Sequence, residues 1–255
     1  MTSKLSWIAF IPFSIAAIAI KIIQLFFMGA DGTFFGFNSI MLSYLSIACA
    51  VIVLLFAVIF CIIDKKIAPV YLINRNIFAG LFGVLFAVAL ACEGANRAFS
   101  AISNSTFEFF DVTDIILTIL TAIVFVVLGL NHFVGNGGVR GLALFYIIPS
   151  IWSAIRLVNL FLSLTTVSIA VTDVTLLICY IFTTLFLFNY ALIVSLVKSK
   201  SPVRSVFIYG LPAIVLLLSF SVYELTDALV LNNATFNFTD NLVAIEQALL
   251  ALYIF

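Results

Sequence analysis

The chain alternates between long apolar runs and short polar intervals. The runs are Trp7 to Met28, Ile40 to Ile63, Ile77 to Ile102, Ile115 to Val134, Leu142 to Leu164, Val174 to Val197 and Val206 to Val230. Each matches the roughly 20 residues that a helix needs to cross a hydrocarbon core. An eighth run opens near Asp240 and is still apolar at Phe255. About sixteen residues make roughly 24 Å of helix, short of a full crossing. Either the chain continues past Phe255, or the last helix is a half-span packed in protein. The first run mimics a signal peptide at Ala17-Ile18-Ala19. It stays apolar to Phe27, longer than a signal segment, and reads as the first helix.

The pattern predicts an all-α integral membrane protein, a bundle of seven or eight transmembrane helices forming one polytopic domain over residues 1–255. Composition agrees, with 65% apolar and 9% charged residues and a mean hydropathy of +1.34. No polar interval is long enough to bury a soluble core.

The charges are distributed vectorially. Lys4, Lys65, Lys66, Arg75, Arg140, Lys198, Lys200 and Arg204 each sit beside one end of an apolar run, always on the same side of the alternation. The opposite loops hold Asp31, Glu108, Asp111, Asp114, Asp173 and Asp240 and no base. Basic residues stay cytoplasmic, so the expectation is a multi-pass plasma-membrane protein with a cytoplasmic N-terminus. With no basic face, a nucleic-acid partner is unsupported; the lipid bilayer is the partner that composition implies.

A repeat is expected as well. Pro12, Pro149 and Pro212 lie near the inner ends of helices one, five and seven, with Gly80 in the comparable place in helix three. The following helices open on Val112-Thr113-Asp114, Val171-Thr172-Asp173 and Phe238-Thr239-Asp240, with Phe37-Asn38-Ser39 as a weaker first copy. Such residues accept hydrogen bonds from first-turn amides and suit the positive end of a helix dipole. The predicted copies are helical hairpins in one orientation, approximately 5–66, 76–134, 142–198 and 205–255.

Polar pairs in the outer halves of the odd helices are the candidate site. They are Lys21 and Gln24; Glu93, Asn96 and Arg97; Arg156 and Asn159; and Glu224 and Asp227. Spacings of three or four residues put each set on one helix face. The odd helices are therefore expected to surround the interior, with even helices outside and Glu246 as a buried exception. If the set is structural glue, Arg156 is expected to pair with Glu224 or Asp227. The network is either a polar site for a small ionic or zwitterionic solute, or structural glue between helices.

Catalytic classes fail on inventory. Glu93 and Arg97 form an E-x-x-x-R pattern like part of the motif of intramembrane CAAX-type glutamate proteases, but those need His motifs on further helices and the chain has one His. There is no zinc, nucleophile-elbow or Walker signature, so no catalytic residue, cofactor or metal is assigned. Cys49, Cys61, Cys92 and Cys179 lie in predicted helices without C-x-x-C spacing and read as packing residues.

The segment Ile148-Pro149-Ser150-Ile151-Trp152-Ser153-Ala154-Ile155-Arg156-Leu157, continued by Asn159, Phe161, Thr172-Asp173 and Tyr209-Gly210-Leu211-Pro212, resembles uncharacterised polytopic membrane proteins of Gram-positive anaerobes. The resemblance covers about residues 143–220. It implies a bacterial plasma membrane and carries no activity. Two functions follow from the residues: a small-solute or ion transporter or channel-like protein, or a non-transporting sensor subunit or scaffold.

Overall fold

A computed structural model describes residues 3–27, 33–34, 37–63, 75–104, 109–135, 143–166, 171–195, 202–231 and 241–255. Lys65, Lys66, Arg140, Lys198, Lys200, Asp31, Glu108 and Asp240 lie outside these residues.

Eight α-helices make up the described bundle: α1 Ser3–Phe26, α2 Ser39–Ile63, α3 Ile77–Asn104, α4 Phe109–Val134, α5 Ala143–Thr166, α6 Val171–Val194, α7 Pro202–Thr226 and α8 Leu242–Ile254. A short antiparallel pair, β1 Thr33–Phe34 and β2 Phe37–Asn38, sits between α1 and α2. Seven helices are long and apolar enough to cross a membrane, and α8, with 13 residues, is not. The protein is an all-α, multi-pass membrane bundle.

Consecutive helices pack as antiparallel hairpins, α1 on α2, α3 on α4, α5 on α6 and α7 on α8. The hairpins assemble through α7, which also touches α1, α2 and α6, and through α8, which lies between α3 and α7. Between Val203 and Ala228 no residue of α7 is exposed, and Leu211 to Leu217 are all buried. Lipid therefore meets the other helices, through side chains such as Ile8, Leu55, Phe78, Ile116, Ile151 and Ile181.

This corrects the expectation of odd helices inside and even helices outside. The most enclosed helix is odd, but the half-length α8 is enclosed too, and α4 sends polar groups inward. Helix α8 reaches the same end of the bundle as the start of α1, where Phe255 packs edge-on against Trp7 with ring centroids 5.3 Å apart. That end also holds Arg75 and Arg204 and is called the basic side below.

Helices α3 and α4 approach closely through glycine. A Cβ on Gly129 would stand 2.7 Å from Val84 Cγ2 and 3.0 Å from the Gly80 carbonyl oxygen. Gly83 plays a related part toward α8, since a Cβ there would meet the Tyr253 ring at 3.1 Å.

Helix starts differ from the expected caps. Asn38 Oδ1 accepts from the Met41 amide at 2.9 Å, so the weakest of the expected copies makes a cap bond. Asn76 caps α3 in the same way, accepting from the amides of Phe78 and Ala79 at 3.1 and 3.3 Å. Asp114 is not a cap: α4 begins at Phe109 and carries it inside the helix, where it is 3% exposed.

Candidate functional site

Arg156 is the hub of the interior. It lies about 20 Å along α5 and is 6% exposed, a position where an unpaired charge is prohibitively costly. Its Nε donates to Asp114 Oδ1 at 3.4 Å and its Nη1 to Glu246 Oε2 at 3.2 Å. Nη2 donates to Glu93 Oε2 and, at 3.3 Å, to Thr118 Oγ1. The guanidinium carbon lies over the ring of Trp152, 4.6 Å from its centroid, and Trp152 Nε1 donates to the same Thr118 hydroxyl at 3.0 Å.

Arg97 closes the cluster toward the other side of the bundle. Its Nη2 contacts Glu93 Oε1 at 2.5 Å and its Nη1 donates to Asp114 Oδ2 at 2.5 Å, with 42% of its side chain exposed. Glu93 and Glu246 both accept from the one Arg156 guanidinium, which brings the two carboxyls together. Four helices thus contribute five charged side chains: Glu93 and Arg97 from α3, Asp114 from α4, Arg156 from α5 and Glu246 from α8.

Lys21, Gln24, Glu224 and Asp227 belong elsewhere. The buried Lys21 ammonium donates to Gln24 Oε1 at 3.1 Å and to Ser43 Oγ at 3.2 Å, and it lies 5.0 Å from the centroid of the Tyr223 ring. Gln24 Nε2 donates to Ser39 Oγ at 2.6 Å. This second cluster ties α1 to α2 and α7, with Glu224 within electrostatic reach of Lys21. Asp227 opens a five-residue π-helical turn, Asp227–Leu231, that widens the end of α7.

The expected pairing of Arg156 with Glu224 or Asp227 is therefore corrected. Helix α8 stands between α7 and α3, and its Glu246 takes the place those acids were expected to fill. Asn96 and Asn159 are half-buried beside the cluster and make none of its bonds. Asp114 and Thr118 were missed as members. Their signal was the four-residue spacing that, with Thr121 and Phe125, gives α4 one inward stripe.

A third polar group lies toward the basic side. Tyr190 OH is 2.9 Å from His132 Nε2 and 2.8 Å from Tyr253 OH, and Tyr253 OH is 3.4 Å from the same His132 nitrogen. It joins the ends of α4, α6 and α8. Between it and the Arg156 cluster lie buried aromatic groups: Phe125 packs on Tyr253 at 5.2 Å and on Phe86 at 4.6 Å, and Phe86 on Trp152 at 6.2 Å.

Among the described residues no three His, Cys, Asp or Glu side chains converge as potential metal ligands. The arrangement joins two guanidiniums, three carboxyls and the Thr118 hydroxyl in one buried network. No protein-family profile, curated protein or solved structure matches this chain.

Proposed function

We propose that this protein is a small-solute or ion transporter or channel-like protein of a bacterial plasma membrane. Its N-terminus and basic side face the cytoplasm, and the Arg156 cluster is its working site. One observation carries the reading: two guanidiniums meet three carboxyls in the interior, which leaves one negative charge over. Glue between helices is best served by charges that cancel. A surplus carboxyl suits a site that takes up a cation or the cationic part of a zwitterion, with Arg97 at its half-exposed rim. The orientation rests on the one-sided distribution of bases.

The purified protein in lipid nanodiscs, titrated calorimetrically with a panel of small inorganic cations, amino acids and short amines, tests this. Saturable binding of at least one member, lost in Glu93→Gln, is the expected result. Absence of binding across the panel, together with absence of ion flux through liposomes carrying the monodisperse parent, defeats the reading.

The scaffold or sensor-subunit reading has its own observation. Arg156 donates to three carboxyls and a hydroxyl while lying over Trp152, an arrangement already complete without a ligand. Under that reading no solute binds, and loss of Arg156 costs only stability.

A further inference from the structure

The polar groups of the interior line up along single helix faces. On α8, Glu246, Leu250 and Tyr253 are spaced by four and three residues, hence on one face, with about 10 Å between the first and the last. On α4 the same stripe runs through Asp114, Thr118, Thr121 and Phe125 and ends at His132. One end of this face is the carboxyl cluster; the other is the Tyr253, Tyr190 and His132 group at the basic side.

Two features of the carboxyl end bear on protons. Glu93 and Glu246 meet on the same Arg156 guanidinium, and since ionised carboxylates have no donor, a proton held by one of the two supplies the donor that such a pair lacks. Arg156 and Arg97 neutralise two of the three acids, which leaves the third to be neutralised by that proton. Further groups facing the pair are Asp114 and Thr118 from α4 and Trp152 from α5, with Tyr180 of α6 in electrostatic reach of Arg156. Between Gly210 and Ser221, α7 carries no titratable side chain.

The space between the two ends carries polar atoms that lack partners. Glu246 Oε1 at one end and Thr121 Oγ1 on the α4 stripe are buried and make no hydrogen bond with any described residue. Buried groups of this kind are ordinarily satisfied by water. Phe86, Phe125 and Leu250, each at most 2% exposed, form an apolar layer across the same space.

We propose that the Glu93 and Glu246 pair is a proton-loading site, and that a proton passes from it along α8 to the Tyr253, Tyr190 and His132 group when water bridges the Phe86, Phe125 and Leu250 layer. The carboxyl O–H bond breaks, and the proton moves through the hydrogen bonds of a short water file to a tyrosine oxygen. That hydroxyl gives up its own proton as it takes the arriving one, and an N–H bond forms at His132 Nε2. A carboxylate is left at the pair and an imidazolium at the basic side, each reset by exchange with its own aqueous face. Protons enter the cluster past the half-exposed Arg97. The proposal rests on reading the cluster as a working site, and it names the proton as the ion that the site takes up.

The test is proton flux into liposomes reconstituted with the full chain, read by a trapped pH-sensitive dye under an imposed membrane potential. The parent is expected to conduct above protein-free vesicles. Glu246→Gln keeps an acceptor for Arg156 but no acid proton, and should return flux to the vesicle background. Tyr253→Phe keeps the ring contacts and should reduce flux. Leu250→Thr, which places a hydroxyl in the layer, should raise it. Infrared difference spectra at neutral pH should show a protonated-carboxyl C=O band in the parent that Glu246→Gln lacks.

A parent that conducts no better than empty vesicles overturns the proposal. So does a Tyr253→Phe variant that conducts like the parent, a result that stands even if Glu246→Gln fails to fold. Solute binding by a parent that moves no protons would overturn this route and leave the transporter reading intact.

Discussion

Arg156 lies with its guanidinium 4.6 Å from the ring centre of Trp152, one turn earlier on α5, and both donate to the Thr118 hydroxyl of α4. A guanidinium that lies over an indole and shares its acceptor has little freedom to turn away. Its five donors are thereby aimed at α3, α4 and α8. One side chain on α5 thus reaches α3 and α8, which α5 scarcely packs against along their lengths, and α8 is anchored through Glu246.

Replacing Arg156 by Leu should be among the most destabilising changes in the protein. It leaves three buried carboxyls facing one guanidinium, and breaking such a pair costs about 3 to 5 kcal/mol. Removing Glu246 as well, in Arg156→Leu with Glu246→Leu, should recover part of that loss, because the two changes couple. Thermal unfolding in detergent of both single variants and the double variant measures it. Additive losses would show that Arg156 and Glu246 act independently.

The membrane spans were legible in the sequence because hydrocarbon thickness imposes a length that apolar runs report directly. Glu93, Arg97 and Arg156 were legible as one site because spacing assigns residues to a face. Which faces meet was not legible. Spacing along α7 puts Glu224 and Asp227 on one face, but nothing local says that α8 intervenes and that Glu224 comes within electrostatic reach of Lys21 on α1 instead. Asp114 was misread for a related reason: Asp near a helix start ordinarily caps it, and only the extension of α4 back to Phe109 makes it an interior residue.

Lys21 should tolerate loss of its charge better than Arg156 does. It touches neutral acceptors and the Tyr223 face, and among the described residues no carboxylate lies within ion-pair distance of its ammonium. Lys21→Met keeps the stem packed and leaves Ser43 Oγ to donate to Gln24 Oε1, now 3.5 Å away. The expected cost is about 1 kcal/mol or less, since removing an ammonium whose burial is itself costly leaves no carboxylate stripped of an ion-pair partner. A loss as large as that of Arg156→Leu in the same unfolding assay would contradict this and would assign Lys21 a direct partnership with Glu224.

Asn38→Ala should remove the one bond that its side chain makes to the first turn of α2, the 2.9 Å acceptance from the Met41 amide. Caps of this kind contribute about 1 kcal/mol. Asn38→Asp keeps an acceptor and adds a charge favoured at a helix N-terminus, so it should match or exceed the parent. Equal unfolding temperatures for Asn38→Ala and the parent would mean that water or headgroups satisfy that amide as well as the side chain does.

Gly129→Val tests whether the closeness of α3 and α4 is what assembles the charged cluster. The new Cβ alone falls 2.7 Å from Val84 Cγ2 and 3.0 Å from the Gly80 carbonyl oxygen. The backbone oxygen cannot swing aside as a side chain would, so the helices must separate. Overpacking of this kind costs about 1 to 3 kcal/mol. The separation also acts at a distance, because Arg97 on α3 and Asp114 on α4 are joined at 2.5 Å across the same helix pair. Unfolding of Arg97→Ala, Asp114→Ala and the double variant, in the parent and in the Gly129→Val background, reads the coupling between the two side chains, which should be present in the parent and lost in Gly129→Val. Unchanged coupling, together with an unchanged unfolding temperature, would show that the helices absorb the added bulk at the basic side without disturbing the cluster.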